Sequence, residues 1–299
     1  MSSSRTIYGR LRMERRARKR VNLSRSRAGT VAIFLFLCAI GVFMALPLVY
    51  SVVQAFKPLN EIYAYPPRFF VINPTWDNFH MVFKLAANLG IPFSRYVFNS
   101  VFVAVVGTGF DVVIASLAAY PLAKARFPGR AVLMSLIVWT LLFRQEVTAI
   151  PQYIIIAKLG MVNTYQAIIL PLMASTFGVF LMKQFMDSSI PQETLEAARL
   201  DGAGELSIFW RIVMPCMKPA WLTLIIFTFQ NFWNSTGVQY IYDESLKMLP
   251  NVLSQIAAGG IARAGAGSAV SLILMIPPIA IFIISQSSVM ETMAHSGLK

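Results

Sequence analysis

Two groups of residues in this 299-residue chain have types and spacings that bear on chemistry, and both lie in or beside apolar runs. Asp111 sits about halfway along the run from Tyr96 to Tyr120 and is the only acidic residue so deep in any such run. A charge at the centre of a bilayer costs about 2.5–3.5 kcal/mol on insertion scales, so this carboxylate must face protein or a water-filled cavity. It either lines a polar path or makes a structural hydrogen bond or ion pair with a neighbouring helix. Gln230, Asn231, Trp233 and Asn234 close a later apolar run and form a second polar group at its end.

Other kinds of site are missing. His80 and His295 are far apart, and no HExxH or similar metal-ligand spacing occurs. Cys38 and Cys216 fall in a predicted span and a predicted loop, which gives neither a CxxC pair nor a disulfide framework. A membrane-embedded enzyme needs clustered titratable groups, and the chain shows none. The phosphate-cradling pattern GxxxxGK[ST] is also missing, so ATP is not bound by that route.

The elements that must carry these residues are membrane helices. Hydrophobic residues make up 57% of the chain, charged residues only 13%, and the mean hydropathy is +0.62, whereas a soluble domain is about 25% charged. Apolar runs long enough to cross occur at about 30–53, 96–120, 131–148, 165–182, 219–236 and 268–290. None shows the alternation of a barrel strand, which predicts six helices and both termini on one side. The first run is too long for a signal peptide and has no cleavage pattern behind it, so it is expected to be retained.

Net charge is +13, and residues 1–27 hold ten basic residues against Glu14. With this tail inside, the inner segments carry 18 basic residues and the outer ones 8, so the positive-inside rule puts both termini in the cytoplasm. The concentration of charge in a tail beside a span favours lipid over nucleic acid as its partner. Residues 28–299 then form one bundle. Long loops are expected at 54–95 outside and 183–218 inside, and a third, 237–267, ends in a mobile Gly/Ala-rich run after a short helix at Leu249–Ala258.

The inner loop is the most informative stretch. Ser189 before Pro191, followed by Gln192 and Glu193, marks a helix start. Asp201-Gly202 should end that helix, because glycine accepts the left-handed conformation that lets the chain reverse. A second helix presents Leu206, Phe209, Trp210 and Val213 as one apolar stripe and is expected to end at Pro215. An elbow with a Phe and a Trp on its stripe should dock on something, either this chain's own helices or a separate subunit.

The residues here resemble a known pattern. Glu196-Ala197-Ala198, then Gly202 within Asp201-Gly202-Ala203, nine residues, and Ile212-Val213-Met214-Pro215 are similar to the EAA loop of ABC importer permeases, E-A-A-x-x-x-G, nine residues, I-x-L-P. Met214 for leucine is the only departure and conserves volume. The resemblance extends over roughly residues 90–299 and points to the MalG-like, carbohydrate-uptake subgroup. It is carried by Asn99-Ser100, Ala118-Ala119-Tyr120, Phe127-Pro128-Gly129-Arg130, Leu159-Gly160, Asn163-Thr164, Trp233-Asn234 and the closing Ser296-Gly297-Leu298-Lys299. Arg144-Gln145-Glu146-Val147 and Ser235-Thr236 depart from it and leave the solute open.

The resemblance implies an all-α, six-helix MetI-like permease of a bacterial inner membrane. It implies a coupling role for the elbow, seated in a cleft of a separate ATPase. Gly202 would supply the turn, Glu196 and Asp201 polar contacts, Ala197 and Ala198 close approach, with Ala203, Ile212 and Pro215 completing the motif. The implied partners are a second permease chain in a heterodimer, two cytoplasmic ATPases and an external solute-binding protein. No cofactor is expected on this chain, since ATP is used by the ATPase. Asp111, Asn231, Trp233 and Asn234 become residues of a sugar path, with Trp233 able to stack on a sugar ring or to anchor at the membrane interface. A permease for amino acids, peptides or phosphonates is the nearest alternative, and an ion-coupled secondary transporter a more distant one.

Overall fold

The computed structural model describes residues 27–143 and 145–296. All of the basic tail except Arg27, the closing Gly297-Leu298-Lys299 and Arg144 lie outside the described residues. Two compact units divide the chain, one ending at Tyr50 and one starting at Ser51. The first is the body of helix α1 (Arg27–Ala55), apolar all round with no polar face, the composition of a membrane span rather than of a helix on a soluble core.

Among the described residues of the second unit, all regular secondary structure is helical. After the short α2 (Leu59–Ile62), α3 (Asp77–Asn88) leads into α4 (Phe93–Lys124). Gly129, in the left-handed conformation at φ +88°, starts α5 (Arg130–Thr140), and α6 (Gln145–Lys158) follows. Next come α7 (Tyr165–Met173), capped by the Thr164 hydroxyl, and α8 (Thr176–Ser189), capped by the Ser175 hydroxyl. The elbow segment holds α9 (Gln192–Leu200), α10 (Glu205–Ile208), a π turn over Phe209–Val213 and the short α11 (Met214–Cys216). The chain closes with α12 (Lys218–Asn234), α13 (Leu249–Ala257) and α14 (Ala264–Ser296).

Among the described residues, four helical stretches are long and apolar enough to cross a membrane: Ala28–Ala55, Phe93–Lys124, Tyr165–Ser189 and Ala264–Gln286. A fifth appears if Glu205–Cys216 and Lys218–Asn234, bent by 80°, count as one span. Where one span is expected at 131–148, the described residues form two short helices, Arg130–Thr140 and Gln145–Lys158, with a turn at 141–143 after the first. Arg144-Gln145-Glu146 puts three polar residues inside the apolar run, and those residues cannot share a lipid-facing helix without cost. Two smaller corrections concern boundaries. Pro215 does not end its helix, which runs to Cys216 and turns at Met217, and Ala264–Gly267 begin α14 instead of belonging to a loop.

Helix α4 is the spine. Its first half contributes Tyr96, Val103 and Ala104 to a cluster with Ile168, Phe229, Phe232, Trp233, Leu249 and Val270. Its second half contributes Val112, Ala115, Ala119 and Ala123 to a cluster with Met182, Met186, Leu195, Phe209 and Val213. Small residues on the second half let α8 lie close: a Cβ at Gly178 would meet Ala115 Cβ at 3.1 Å and Leu224 Cδ1 at 3.2 Å. One end of the bundle therefore carries the elbow, and the far end carries the segment between α12 and α13.

Candidate functional site

At the elbow, Asp201 ends α9 and Gly202 turns the chain at φ +82°, the left-handed conformation expected there. The Gly202 and Ala203 N–H groups donate to the carbonyls of Arg199 and Ala198, both at 3.0 Å, closing the helix. Across the turn the Arg199 Nε donates to Glu205 Oε1 at 2.7 Å, and the Tyr120 hydroxyl on α4 donates to Glu205 Oε2 at 2.7 Å. The Arg199 guanidinium and these hydrogen bonds hold the Glu205 carboxyl below its ordinary range. At the other end of α9, the Lys124 ammonium donates to the Ile190 carbonyl.

The elbow has two faces. Leu195, Ile208, Phe209 and Val213 are buried against α4 and α8. Glu196, Ala197, Asp201 and Gly202 are exposed, and so are Leu200 and Leu206, at 89% and 70%. Ala198, Ala203 and Ile212 are half-buried along the seam, and Pro215 is exposed. The predicted stripe is thus split: Phe209 and Val213 are buried, Leu206 and Trp210 are not. Apolar residues crowd this segment so densely that spacing fits two adjacent faces, and burial selects the one that includes Ile208.

In the middle of the bundle Asp111 is fully buried. Its carboxylate accepts from the Thr228 hydroxyl on α12 at 2.7 Å and from the Ser175 N–H, between α7 and α8, at 3.4 Å. Of the two roles open to it, this geometry is the structural hydrogen bond, and Asp111 lines neither described cavity. Trp233 is 2% exposed, stacks on Phe229 at 5.6 Å and donates through Nε1 to the Leu274 carbonyl at 2.9 Å, so its indole is packed inside the bundle.

Asn231 and Asn234 fare differently. Both are exposed and line a cavity of about 390 Å³ at the far end of α12. Gln152 from α6 and Gln239 from the following segment join them, with Ile168, Pro171 and Leu172 of α7 as the apolar wall. The Tyr240 hydroxyl donates to Gln152 Oε1 at 3.0 Å. The segment is braced from behind: Asn163, at φ +61°, donates its N–H to the Tyr240 carbonyl and accepts from the Tyr242 N–H with its side chain. Asn99 reinforces it, donating to the carbonyls of Ser245 and Lys247, while Ser100 accepts from the Leu249 N–H. Gln152 and Gln239 were not foreseen. The one legible signal was an amide at Gln152 beside the apolar stretch Tyr153–Ala157.

Comparison with known proteins agrees with this architecture. Residues 31–286 match the family described as the binding-protein-dependent transport system inner membrane component. Protein LplC of Bacillus subtilis is 33% identical over 79% of this chain and 78% of its own length. The sn-glycerol-3-phosphate transport system permease protein UgpE of Yersinia enterocolitica is 33% identical over 83% of this chain and 90% of its own. The polygalacturonan/rhamnogalacturonan transport system permease protein YtcP of Bacillus subtilis is 30% identical over 82% and 85%. A chain from the crystal structure of a bacterial ABC transporter that imports the acidic polysaccharide alginate shares the fold, with a TM-score of 0.73 at 22% identity, over 88% of this chain and 98% of that one.

Proposed function

Because the chain belongs to the family of binding-protein-dependent transport system inner membrane components, we propose that it is one permease subunit of an ATP-driven importer of sugars or oligosaccharides. Permeases of this kind work with an ATPase and a solute-binding protein. On this reading the elbow around Gly202 is the surface that meets the ATPase, and the observation that carries it is the elbow's two-faced packing. Leu195, Ile208, Phe209 and Val213 fix it to the bundle, while Glu196, Ala197, Asp201 and the bare Leu200 and Leu206 point away. Two large aliphatic side chains on a solvated hairpin are otherwise unexplained, and exposed apolar groups of this kind mark contact surfaces.

The chain would supply half of the path and no nucleotide site; ATP would be used by two ATPase copies, and the other half-path by a different permease in a heterodimer. Both termini would face the cytoplasm. A carbohydrate-type solute is favoured by the relatives, whose names specify sn-glycerol-3-phosphate and polygalacturonan/rhamnogalacturonan transport. The test is affinity purification from the native membrane in mild detergent, beside a Gly202→Asp variant. An ATPase and a second permease should be recovered with the parent chain, and the ATPase lost with the variant. A stable, monodisperse chain recovered alone would overturn the reading in favour of a self-contained carrier.

A further inference from the structure

We infer that the cavity at the far end of α12 is a subsite for an uncharged, polyhydroxylated solute, a neutral saccharide rather than a phosphorylated or carboxylated one. The inference rests on the importer reading above and names the solute class for it. Its volume, about 390 Å³, lies within the range of about 300–1,000 Å³ found for small-molecule sites and has room for a monosaccharide unit.

The lining decides the chemistry. The side-chain amides of Asn231, Asn234 and Gln239 engage no protein partner among the described residues, and Gln152 uses only its oxygen, which accepts from Tyr240. An amide offers both donors and an acceptor, and a sugar hydroxyl offers both as well, so each can answer the other without a change of protonation. Ile168, Pro171 and Leu172 supply the apolar surface that a sugar ring's C–H face needs. Among the described residues, none that lines the cavity is charged. A phosphate or uronate would meet no cation among these residues. Sites that select such groups present Arg or Lys.

The cavity is also preformed. Asn163 and the Tyr240–Gln152 hydrogen bond hold its far wall, and Gly237, at φ +58°, passes so close to α7 that a Cβ would meet Ile168 at 2.9 Å. Unpartnered amides cannot lie in hydrocarbon, so the mouth must open on water or on the partner permease.

The experiment uses the complete importer, with its second permease, ATPases and binding protein, in proteoliposomes. Probes are radiolabelled neutral mono- and oligosaccharides, set against sn-glycerol 3-phosphate and digalacturonate. ATP-dependent uptake of a neutral probe and not of the anions is expected. Asn234→Ala should raise KM by about tenfold, the loss of one or two hydrogen bonds to solute, with complex assembly intact, and Asn234→Gln should recover part of it. Uptake of an anionic probe, an assembled complex that moves no neutral probe, or a KM indifferent to both variants overturns the subsite while the importer reading stands. Failure to recover any ATPase with the chain would overturn the importer reading itself.

Discussion

Asp111 on α4 and Thr228 on α12 meet at 2.7 Å between the two apolar clusters of the bundle, carboxylate to hydroxyl, with the Ser175 N–H completing the contact at 3.4 Å. Three elements are tied at one buried point: the spine, the helix that ends in Asn231 and Asn234, and the break between α7 and α8. The break needs the tie. Ser175 leads into α8 with its hydroxyl accepting from the Gly178 N–H, but its own N–H would be an orphan without the carboxylate.

Removal of either partner should therefore weaken the bundle rather than the solute site. Asp111→Ala strands a hydroxyl and an N–H, and unsatisfied buried groups cost about 1–3 kcal/mol each. The detergent-solubilised variant is expected to melt earlier, and Thr228→Val combined with it should add less than it does alone. Strictly additive shifts in melting temperature would show that the two residues do not act together.

Two glycines of α4 make a controlled pair. A Cβ at Gly107 would run into the Phe232 ring, whereas one at Gly109 meets nothing within 4 Å. Gly109→Ala should leave stability unchanged or raise it by about 0.5–1 kcal/mol through helix propensity. Gly107→Ala should lower it by about 1–3 kcal/mol through overpacking, and Phe232→Leu should restore part of the loss. Thermal melts of the four proteins in one detergent check the order, and equal melting of the two alanine variants would refute the close approach of α4 and α12.

Much of this was legible beforehand because the signals were local. Gly202 at a helix end, Pro191 at a helix start and the apolar runs around α1, α4 and α14 depend only on neighbouring residues, and the structure agrees with each. The split of the Leu206–Val213 stripe and the burial of Trp233 depend on what packs opposite, which spacing does not encode. The cavity was half legible. Asn231 and Asn234 are one helical turn apart on α12, but Gln152 and Gln239 reach them only through the fold of α6 and the 235–240 segment.

Gly202 and Leu200 separate turn geometry from surface chemistry. No neighbour lies within 4 Å of a Cβ at Gly202, so Gly202→Ala is strained only by its φ of +82°, at a cost of about 1–2 kcal/mol. Leu200 is 89% exposed, so Leu200→Asp should leave the fold alone. If the elbow meets the ATPase as proposed, both variants should reach the membrane at normal levels, and Leu200→Asp should lose most ATPase recovery while its melting temperature is unchanged. Normal recovery of the ATPase by Leu200→Asp would remove that face from the contact.

The Arg199–Glu205–Tyr120 contact gives the elbow a predictable response to acid. Glu205 is held below its usual value of 4.5, first by the Arg199 hydrogen bond and then by the Tyr120 hydroxyl. A carboxyl depressed in the folded state contributes stability that is complete above its unfolded value and is lost as pH falls through the folded one. The elbow should therefore be insensitive to pH around neutrality and loosen only below the ordinary carboxylate range. The ion pair is largely exposed, so its contribution is screened and small. The Tyr120 hydroxyl, which ties Glu205 to α4, is the better probe. Tyr120→Phe should speed hydrogen exchange in Arg199–Glu205 at neutral pH while Arg199→Lys changes it little, and the opposite order would place the anchoring in the ion pair.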